Sequence, residues 1–138
     1  MPQWSRFAAR PTHSASRVRW FDLDADFRLM RERWRAVGAS MTRAESKDLQ
    51  REGYRYCGIV EEGAIVASAA VWMYSPAAWE LAAVWTREDR RSMGYATAAC
   101  SFATAHIVGN SRAATCTMNA DNAPMLRVAA RLGYRSIV

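Results

Sequence analysis

Apolar residues along this chain follow two spacings, which predict strands and helices in turn. Short runs rich in branched and aromatic residues, bounded by glycine, proline or polar residues, are typical of β-strands. The turn Glu61-Glu62-Gly63 joins two such runs as a hairpin, and the turn that follows adds a third strand. We therefore predict strands at residues 17–21, 54–60, 64–73, 79–86, 113–118 and 134–138. The three successive strands 54–60, 64–73 and 79–86 should form an antiparallel meander.

Between the strands, apolar residues recur every three or four positions, as on one face of an α-helix. Asp22 or Asp24 can cap the first helix, and Thr42 with Glu45 has the spacing of a capping box that opens a second. The second helix has a weak apolar face, so we expect it at the surface. Pro124 fits the first turn of the last helix, where a missing N–H costs little. The predicted helices cover residues 22–37, 42–53, 95–108 and 122–133, and the order of elements predicts a mixed α/β sheet.

The connection from strand 79–86 to helix 95–108 carries the clearest chemical pattern. Gly94 allows the backbone to approach a ligand closely, and the helix beginning there offers unpaired N–H groups and the positive end of its dipole. Three arginines at positions 87, 90 and 91 add positive potential. Neither a Walker loop nor a dinucleotide fingerprint fits, since no Gly-Lys-Ser/Thr follows and only one glycine is present. We interpret the loop as a diphosphate cradle.

Composition narrows the class of protein. A chain of 138 residues, 51% hydrophobic and with six tryptophans, is long enough for one domain with its own core. No uncharged apolar run reaches membrane-spanning length, so we expect no membrane partner. Cys57, Cys100 and Cys116 each lie in an apolar segment without metal-ligand spacing. We therefore expect no metal, a reducing compartment and a cytoplasmic location.

The net charge of +6 favours an acidic partner. Four arginines without acidic neighbours, Arg6, Arg10, Arg17 and Arg19, lie in the first twenty residues. We interpret residues 1–16, which have no periodicity, as a loose basic tail preceding a domain over residues 17–138. A short organelle-targeting segment would have a similar composition. We do not expect nucleic acid as a partner, because the excess charge follows no repeating face and no nucleic-acid motif is present. The remaining basic residues would attract an anionic cofactor.

Three spaced motifs accompany this order of elements. Residues 91–96 have the pattern Arg-x-x-Gly-x-Ala, Glu80 stands six residues before Thr86, and Asn122 is followed eleven residues later by Gly133 and then an aromatic residue. Over residues 17–138 the chain thereby resembles the GNAT superfamily of acyl-CoA-dependent N-acyltransferases. The resemblance implies an α/β fold whose mixed sheet combines an antiparallel meander with a splayed parallel pair and is flanked by helices, here with a shortened C-terminal strand region.

The resemblance also implies acetyl-CoA as co-substrate, laid across the sheet. Backbone groups of Val84 and Thr86 would pair with the pantetheine arm, the loop amides would hold the diphosphate, and Asn122 would contact the arm from the opposite side. The implied cofactor-binding residues are Val84, Thr86, Arg91, Ser92, Met93, Gly94, Tyr95, Ala96, Thr97 and Asn122.

Two positions depart from the family pattern. Ala129 stands where family members often have a tyrosine that protonates the departing thiolate, and the chain ends about one strand early. The shortened end leaves a sheet edge that the tail or a second copy in a homodimer would cover. The departures keep open a non-catalytic acyl-CoA-binding regulatory module beside the expected function, an N-acetyltransferase that acts on a small-molecule amine or a protein amino group.

Transfer to an amine requires the neutral form of that amine. A lysine-like amine with a pKa near 10.4 is only about 0.04% neutral at pH 7, a deficit of roughly 4.6 kcal/mol, so a general base is valuable. Glu80 is the candidate base, directly or through water. An ion pair between Glu80 and a neighbouring arginine is the structural alternative.

Overall fold

The computed structural model describes residues 3–6, of which only the backbone is considered, and residues 17–136. The strands and helices alternate broadly as the apolar pattern predicts. The strands are β1 (Gln3–Arg6), β2 (Arg19–Trp20), β3 (Tyr54–Glu61), β4 (Ala64–Trp72), β5 (Ala78–Thr86), β6 (Ala113–Thr117) and β7 (Arg135–Ser136), and the α-helices are α1 (Phe27–Arg35), α2 (Arg43–Arg51), α3 (Tyr95–Gly109) and α4 (Ala123–Arg131).

The strands form one mixed sheet in the order β2-β3-β4-β5-β6-β1-β7. Strands β2 to β5 are an antiparallel meander, and β6 lies parallel to β5. The parallel pairing runs only from Ala78 opposite Ala113 to Leu81 opposite Cys116, so the carboxyl-terminal half of β5 diverges from β6. This arrangement confirms the predicted fold class, with its meander and its splayed parallel pair.

Strand β1 lies within the stretch that we predicted as a loose tail. It is antiparallel to β6, with Gln3 opposite Thr117 and Arg6 opposite Ala114, and it also pairs with the short β7. The sheet edge expected at the carboxyl end is therefore covered by an amino-terminal strand of the same chain. The rest of the predicted tail, residues 1–2 and 7–16, and the end of the predicted last strand, residues 137–138, lie outside the described residues.

Each face of the sheet carries its own core. Helices α3 and α4 pack on one face against residues such as Ile59, Val66 and Leu81. Helix α1 packs on the other face through Phe27, Met30 and Trp34, which contact Tyr56, Ile65 and Ala70 of the sheet. Within the described part of the chain, no helix combines the length and apolar composition needed to cross a membrane.

Local hydrogen bonds explain where the first two helices begin. The prediction that Asp22 or Asp24 caps α1 is wrong, because the helix begins at Phe27 and its N-cap residue is Asp26. Asp22 Oδ1 instead accepts the N–H groups of Asp24 and Ala25, each at 2.8 Å, and forms a separate turn. The capping box is confirmed, since Thr42 Oγ1 accepts the Glu45 N–H at 3.1 Å and Glu45 Oε1 accepts the Thr42 N–H at 3.3 Å. Helix α2 buries only a serine and lies at the surface, as expected.

Candidate functional site

A β-bulge opens the sheet at the middle of β5. The register between β4 and β5 shifts between Ser68 and Ala70, and Ala83 adopts a φ of 50°. A bulge bends its strand and increases the local twist. Because β5 leaves β6 immediately before this point, after Leu81, the two parallel strands separate into a cleft.

The cleft has a volume of about 870 Å³. This is within the usual range for small-molecule sites. It is bounded by the diverging half of β5, the start of α3, the end of β6 and one side of α4. Its lining includes Leu81, Ala82, Ala83, Val84, Trp85, Thr86, Arg91, Ser92, Gly94, Tyr95, Ala96, Thr97, Thr117, Met118, Asn119, Asn122, Met125, Arg127, Val128 and Arg131.

Six successive backbone N–H groups, those of residues 92–97, have no hydrogen-bond partner in the described structure, and all of these residues except Met93 line the cleft; we call them the amide row. Helix α3 begins after Gly94, whose φ is 82°, and its first intrahelical bond runs from the Ala98 N–H to the Gly94 carbonyl at 3.0 Å. Within the described residues, no acceptor pairs with the amide row. Unpaired amides at a helix N-terminus attract anions, because the helix dipole is positive there.

The end of β5 also directs backbone groups into the cleft. The Arg87 N–H donates to the Val66 carbonyl of β4 at 2.8 Å, so the N–H and C=O of the preceding residue, Thr86, face the opposite edge. Val84 lies two residues earlier and has the same orientation. Arg91 Nε donates to the Thr86 carbonyl at 3.3 Å, which fixes the loop against the strand.

The loop that precedes α3 is anchored by Glu61, at the end of β3. Tyr95 Oη donates to Glu61 Oε2 at 2.6 Å, Arg90 Nε donates to Glu61 Oε1 at 2.8 Å, and Arg17 completes the group through Glu61 Oε2. These three partners, Tyr95 first, lower the pKa of Glu61 to about 2. Glu61 therefore keeps its charge and holds the start of α3 in place.

The positive charge at the cleft comes from a different set of arginines than the sequence predicted. Arg87 and Arg90 are ion-paired with Asp89, and Arg90 also with Glu61, so they contribute little free charge. Arg91 lines the cleft with no carboxylate partner in the described part of the chain. Two arginines of α4, Arg127 and Arg131, also line it, and sequence analysis missed both. Their spacing of four residues, which places them on one helix face, was the available signal.

Helix α4 closes the opposite side. Asn122 is its N-cap, with Oδ1 accepting the Met125 N–H at 3.3 Å, and both residues line the cleft. Ala129 stands where family members often have a tyrosine. It lies on the buried side of α4, has no exposed surface and packs in the core. Tyr134 is also buried, and its hydroxyl is paired with Thr104 at 2.8 Å. Tyr95 is thus the tyrosine that borders the cleft within the described residues.

Glu80, the candidate base, lies just beyond the residues that line the cleft. Its Oε1 accepts a hydrogen bond from Thr117 Oγ1 at 3.0 Å, and Thr117 does line the cleft. The structural alternative, an ion pair with an arginine, finds no support, because no cation of the described chain lies within ion-pair distance of Glu80. Met93 is also outside the lining, with 58% of its surface exposed, so its side chain does not contribute to the cleft.

Arg33 of α1 braces the bulge from the other face of the sheet. Only 7% of its surface is exposed, Nε donates to Ser68 Oγ at 2.9 Å, and Nη2 donates to the Ala83 carbonyl at 3.2 Å. Its guanidinium also lies 5.1 Å from the centre of the Trp85 ring. Burial lowers the pKa of Arg33. The sequence gave no sign of this contact, since α1 and the bulge are 50 residues apart.

The described residues support neither a reactive cysteine nor a metal site. Cys57, Cys100 and Cys116 are free and buried, and burial raises the pKa of Cys57 and of Cys116 to about 12. Thiols in such surroundings are protonated and inert. In the described residues no group of three His, Cys, Asp or Glu side chains could hold a metal ion.

Solved structures share this architecture. A protein of the GNAT family from Novosphingobium aromaticivorans superposes with a TM-score of 0.77 at 18% identity, over 98% of this chain and 58% of its own. A GNAT-family acetyltransferase from Colwellia psychrerythraea gives 0.76 at 14% identity, over 99% and 52%. A shorter acetyltransferase from Trypanosoma brucei gives 0.68 at 14% identity, over 86% and 91%. The chain thus spans between half and three fifths of the first two proteins.

Comparison of the sequence with curated proteins found no match. The family model of the GNAT acetyltransferases, in contrast, matches residues 16–134, which is most of the chain and includes every element from β2 to α4. On this match, and on the sheet and cleft described above, the chain belongs to the acetyltransferase (GNAT) family.

Proposed function

We propose that this protein is an N-acyltransferase that moves the acetyl group of acetyl-CoA to a primary amine, carried by a small molecule or a protein. The observation that carries the proposal is the amide row, whose unpaired N–H groups lie just before and within the first turn of a 15-residue helix, at the edge of an open cleft. Such a helix N-terminus favours an anion with several acceptor oxygens. The diphosphate of coenzyme A has this chemistry.

The remainder of the cleft suits the rest of such a ligand. Backbone groups of Val84 and Thr86 are directed into the cleft and would pair with the amide-containing arm, as an added strand pairs with a sheet edge. Asn122 stands on the opposite wall. Arg127 and Arg131, which have no acidic partner within the described chain, would attract the phosphate groups of the ligand.

The chemistry needs a proton acceptor for the amine. The neutral amine nitrogen forms a bond to the thioester carbonyl carbon, the carbon–sulfur bond breaks, and the sulfur leaves as a thiolate. The second proton that the nitrogen loses passes to water or to the thiolate. We assign Glu80 to take the proton from the incoming ammonium, with the Thr117 hydroxyl orienting its carboxylate at 3.0 Å. A positioned base of this kind is worth about 10²–10⁴-fold in rate.

The departing thiolate requires less help. A thiol with a pKa near 8.5 leaves as thiolate at pH 7 at a cost of about 2 kcal/mol. Helix α4 directs no tyrosine into the cleft in the described structure. Proton delivery from water therefore fits this site. The same observation favours the second candidate, a module that binds acyl-CoA without turnover.

A thiol-release assay separates the two candidates. Acetyl-CoA is incubated with a panel of primary amines, and free thiol is measured with the wild type, with Glu80→Gln and with Thr117→Val. We expect amine-dependent release that falls at least about 100-fold in Glu80→Gln and more modestly in Thr117→Val. Coenzyme A binding without release above the hydrolysis rate for any amine would reject the enzyme and leave the binding module.

A further inference from the structure

Three aromatic side chains form a row on the sheet face that carries α1 and α2. Tyr54 and Trp72 are stacked with ring centres 5.4 Å apart and planes 4° apart, and Trp72 contacts Tyr74 at 5.0 Å. We call these three residues the aromatic end. Their inner neighbours Tyr56 and Trp34 are buried, whereas Tyr74 is 41% exposed and Tyr54 and Trp72 are half-buried. The row therefore ends at an open surface instead of within the core.

Glu80 stands beside this row. It is the direct cross-strand partner of Trp72, so both side chains lie on the same face of the sheet. Burial first, and then the negative charge of Glu80, raise the pKa of Tyr54. The Tyr74 hydroxyl lies 3.3 Å from the hydroxyl of Thr115 on β6. Thr115 lies opposite Glu80 in the parallel pairing of β5 with β6.

The Glu80 side chain is half-buried, and no ion pair engages it within the described residues. Eleven charged residues form the ion pairs of the described structure, whereas Glu80 has only the Thr117 hydroxyl as a side-chain hydrogen-bond partner there. Arg33 of α1, a buried cation on this face of the sheet, donates to Ser68 and Ala83 at the bulge and forms no ion pair in the described structure. The negative charge at the aromatic end is therefore free to meet a cation from outside.

We propose that the aromatic end and Glu80 form the acceptor subsite, and that the acceptor is a primary ammonium joined to a flat, aromatic or similarly apolar body. This proposal rests on the proposed N-acyltransferase function. Ring faces attract cations and stack on flat groups, and the carboxylate fixes the ammonium. Thr117 joins Glu80 to the cleft, so the bound nitrogen would lie next to the end of the cleft nearest the bulge.

Equilibrium binding tests the proposal independently of turnover. 2-Phenylethylamine, n-butylamine and 3-phenylpropionate are titrated by calorimetry into the protein, with and without saturating coenzyme A. We expect 2-phenylethylamine to bind about tenfold or more tightly than n-butylamine, and the carboxylate to bind least. Equal affinity for the two amines, or tightest binding by the carboxylate, would overturn the proposal.

Three variants test whether the aromatic end causes the preference for 2-phenylethylamine over n-butylamine. Tyr74→Ala removes an exposed ring, Tyr74→Phe keeps the ring and removes the hydroxyl, and Val37→Ala alters a side chain that is 53% exposed elsewhere. We expect Tyr74→Ala alone of the three to reduce the preference for 2-phenylethylamine, with coenzyme A affinity unchanged. A preference that survives in Tyr74→Ala contradicts the assignment. A retained preference without thiol release would instead count against the proposed enzyme, so the two failures are distinguishable.

Discussion

Replacing Gly94 with alanine separates the binding role of this residue from its structural role. Gly94 has a φ of 82°, and a methyl group added there would meet no atom within 4 Å. The substitution therefore causes no clash, and its cost in stability is the left-handed backbone alone, about 1–2 kcal/mol. For a chain of this length we expect the melting temperature to fall by roughly 3–10 °C.

Gly63 provides a matched control. It lies in the β3–β4 turn with a φ of 77°, and a methyl group there would also meet nothing within 4 Å. We expect Gly63→Ala to lower the free energy of unfolding by the same amount as Gly94→Ala. In Gly94→Ala, however, the methyl group stands beside the amide row, where an anion must approach closely. The loss of one charge-assisted hydrogen bond, about 1.5–3 kcal/mol, would weaken coenzyme A binding by roughly 10–150-fold.

The assay is calorimetric titration of coenzyme A into both variants, below their melting temperatures. The expected result is wild-type affinity in Gly63→Ala and the stated loss in Gly94→Ala. If both variants bound coenzyme A as tightly as the wild type, the ligand would not approach the amide row, and our account of the cradle would be refuted.

Three further substitutions probe the support of the site. The pKa of Glu61 is lowered from 4.5 to about 2 in the folded chain, so the stability it contributes is complete above about pH 4.5 and is lost as the pH falls towards 2. Urea unfolding from pH 2 to 6 should show a smaller loss in Glu61→Gln than in the wild type, because only other carboxylates with lowered pKa values, such as Asp26 and Asp89, then contribute. Arg33→Met leaves Ser68 Oγ and the Ala83 carbonyl without their donor, so we expect about 1–3 kcal/mol of destabilisation and faster amide exchange at the bulge; unchanged exchange would argue against a bracing role. Asn122→Ala should cost about 1 kcal/mol through the lost N-cap, whereas Asn122→Asp should keep the cap and weaken coenzyme A binding by adding negative charge to the cleft; equal affinity in Asn122→Asp would place the ligand away from α4.

Local sequence signals predicted most of the fold because most of it depends on local periodicity and turns. The meander, the capping box at Thr42 and the helix that begins after Gly94 all follow from such signals. The pairing of β1 with β6 could not be predicted in this way. It joins Gln3 to Thr117, and a four-residue strand without apolar periodicity gives no local indication of a partner so distant in sequence.

The parts of the candidate site formed by backbone groups of one loop could be predicted from the sequence. The parts that depend on how distant strands pair and how α4 packs could not. The glycine and the strand-to-helix order indicated the amide row. The bulge at Ala83 has neither glycine nor asparagine to mark its positive φ, so it was not anticipated. The Thr117 contact to Glu80 and the arginines of α4 reach the site through the parallel pairing and the packing of α4, which no local pattern specifies.

The central claim is that the amide row holds the diphosphate of coenzyme A, and amide chemical shifts test it most directly. A ¹H–¹⁵N correlation spectrum is recorded on the labelled chain during titration with coenzyme A. The account predicts that the amide signals of residues 92–97 shift saturably and together, while that of Asn110 at the opposite end of α3 stays nearly unchanged. Saturable binding that leaves the amide row unshifted, or no binding at all, would contradict it.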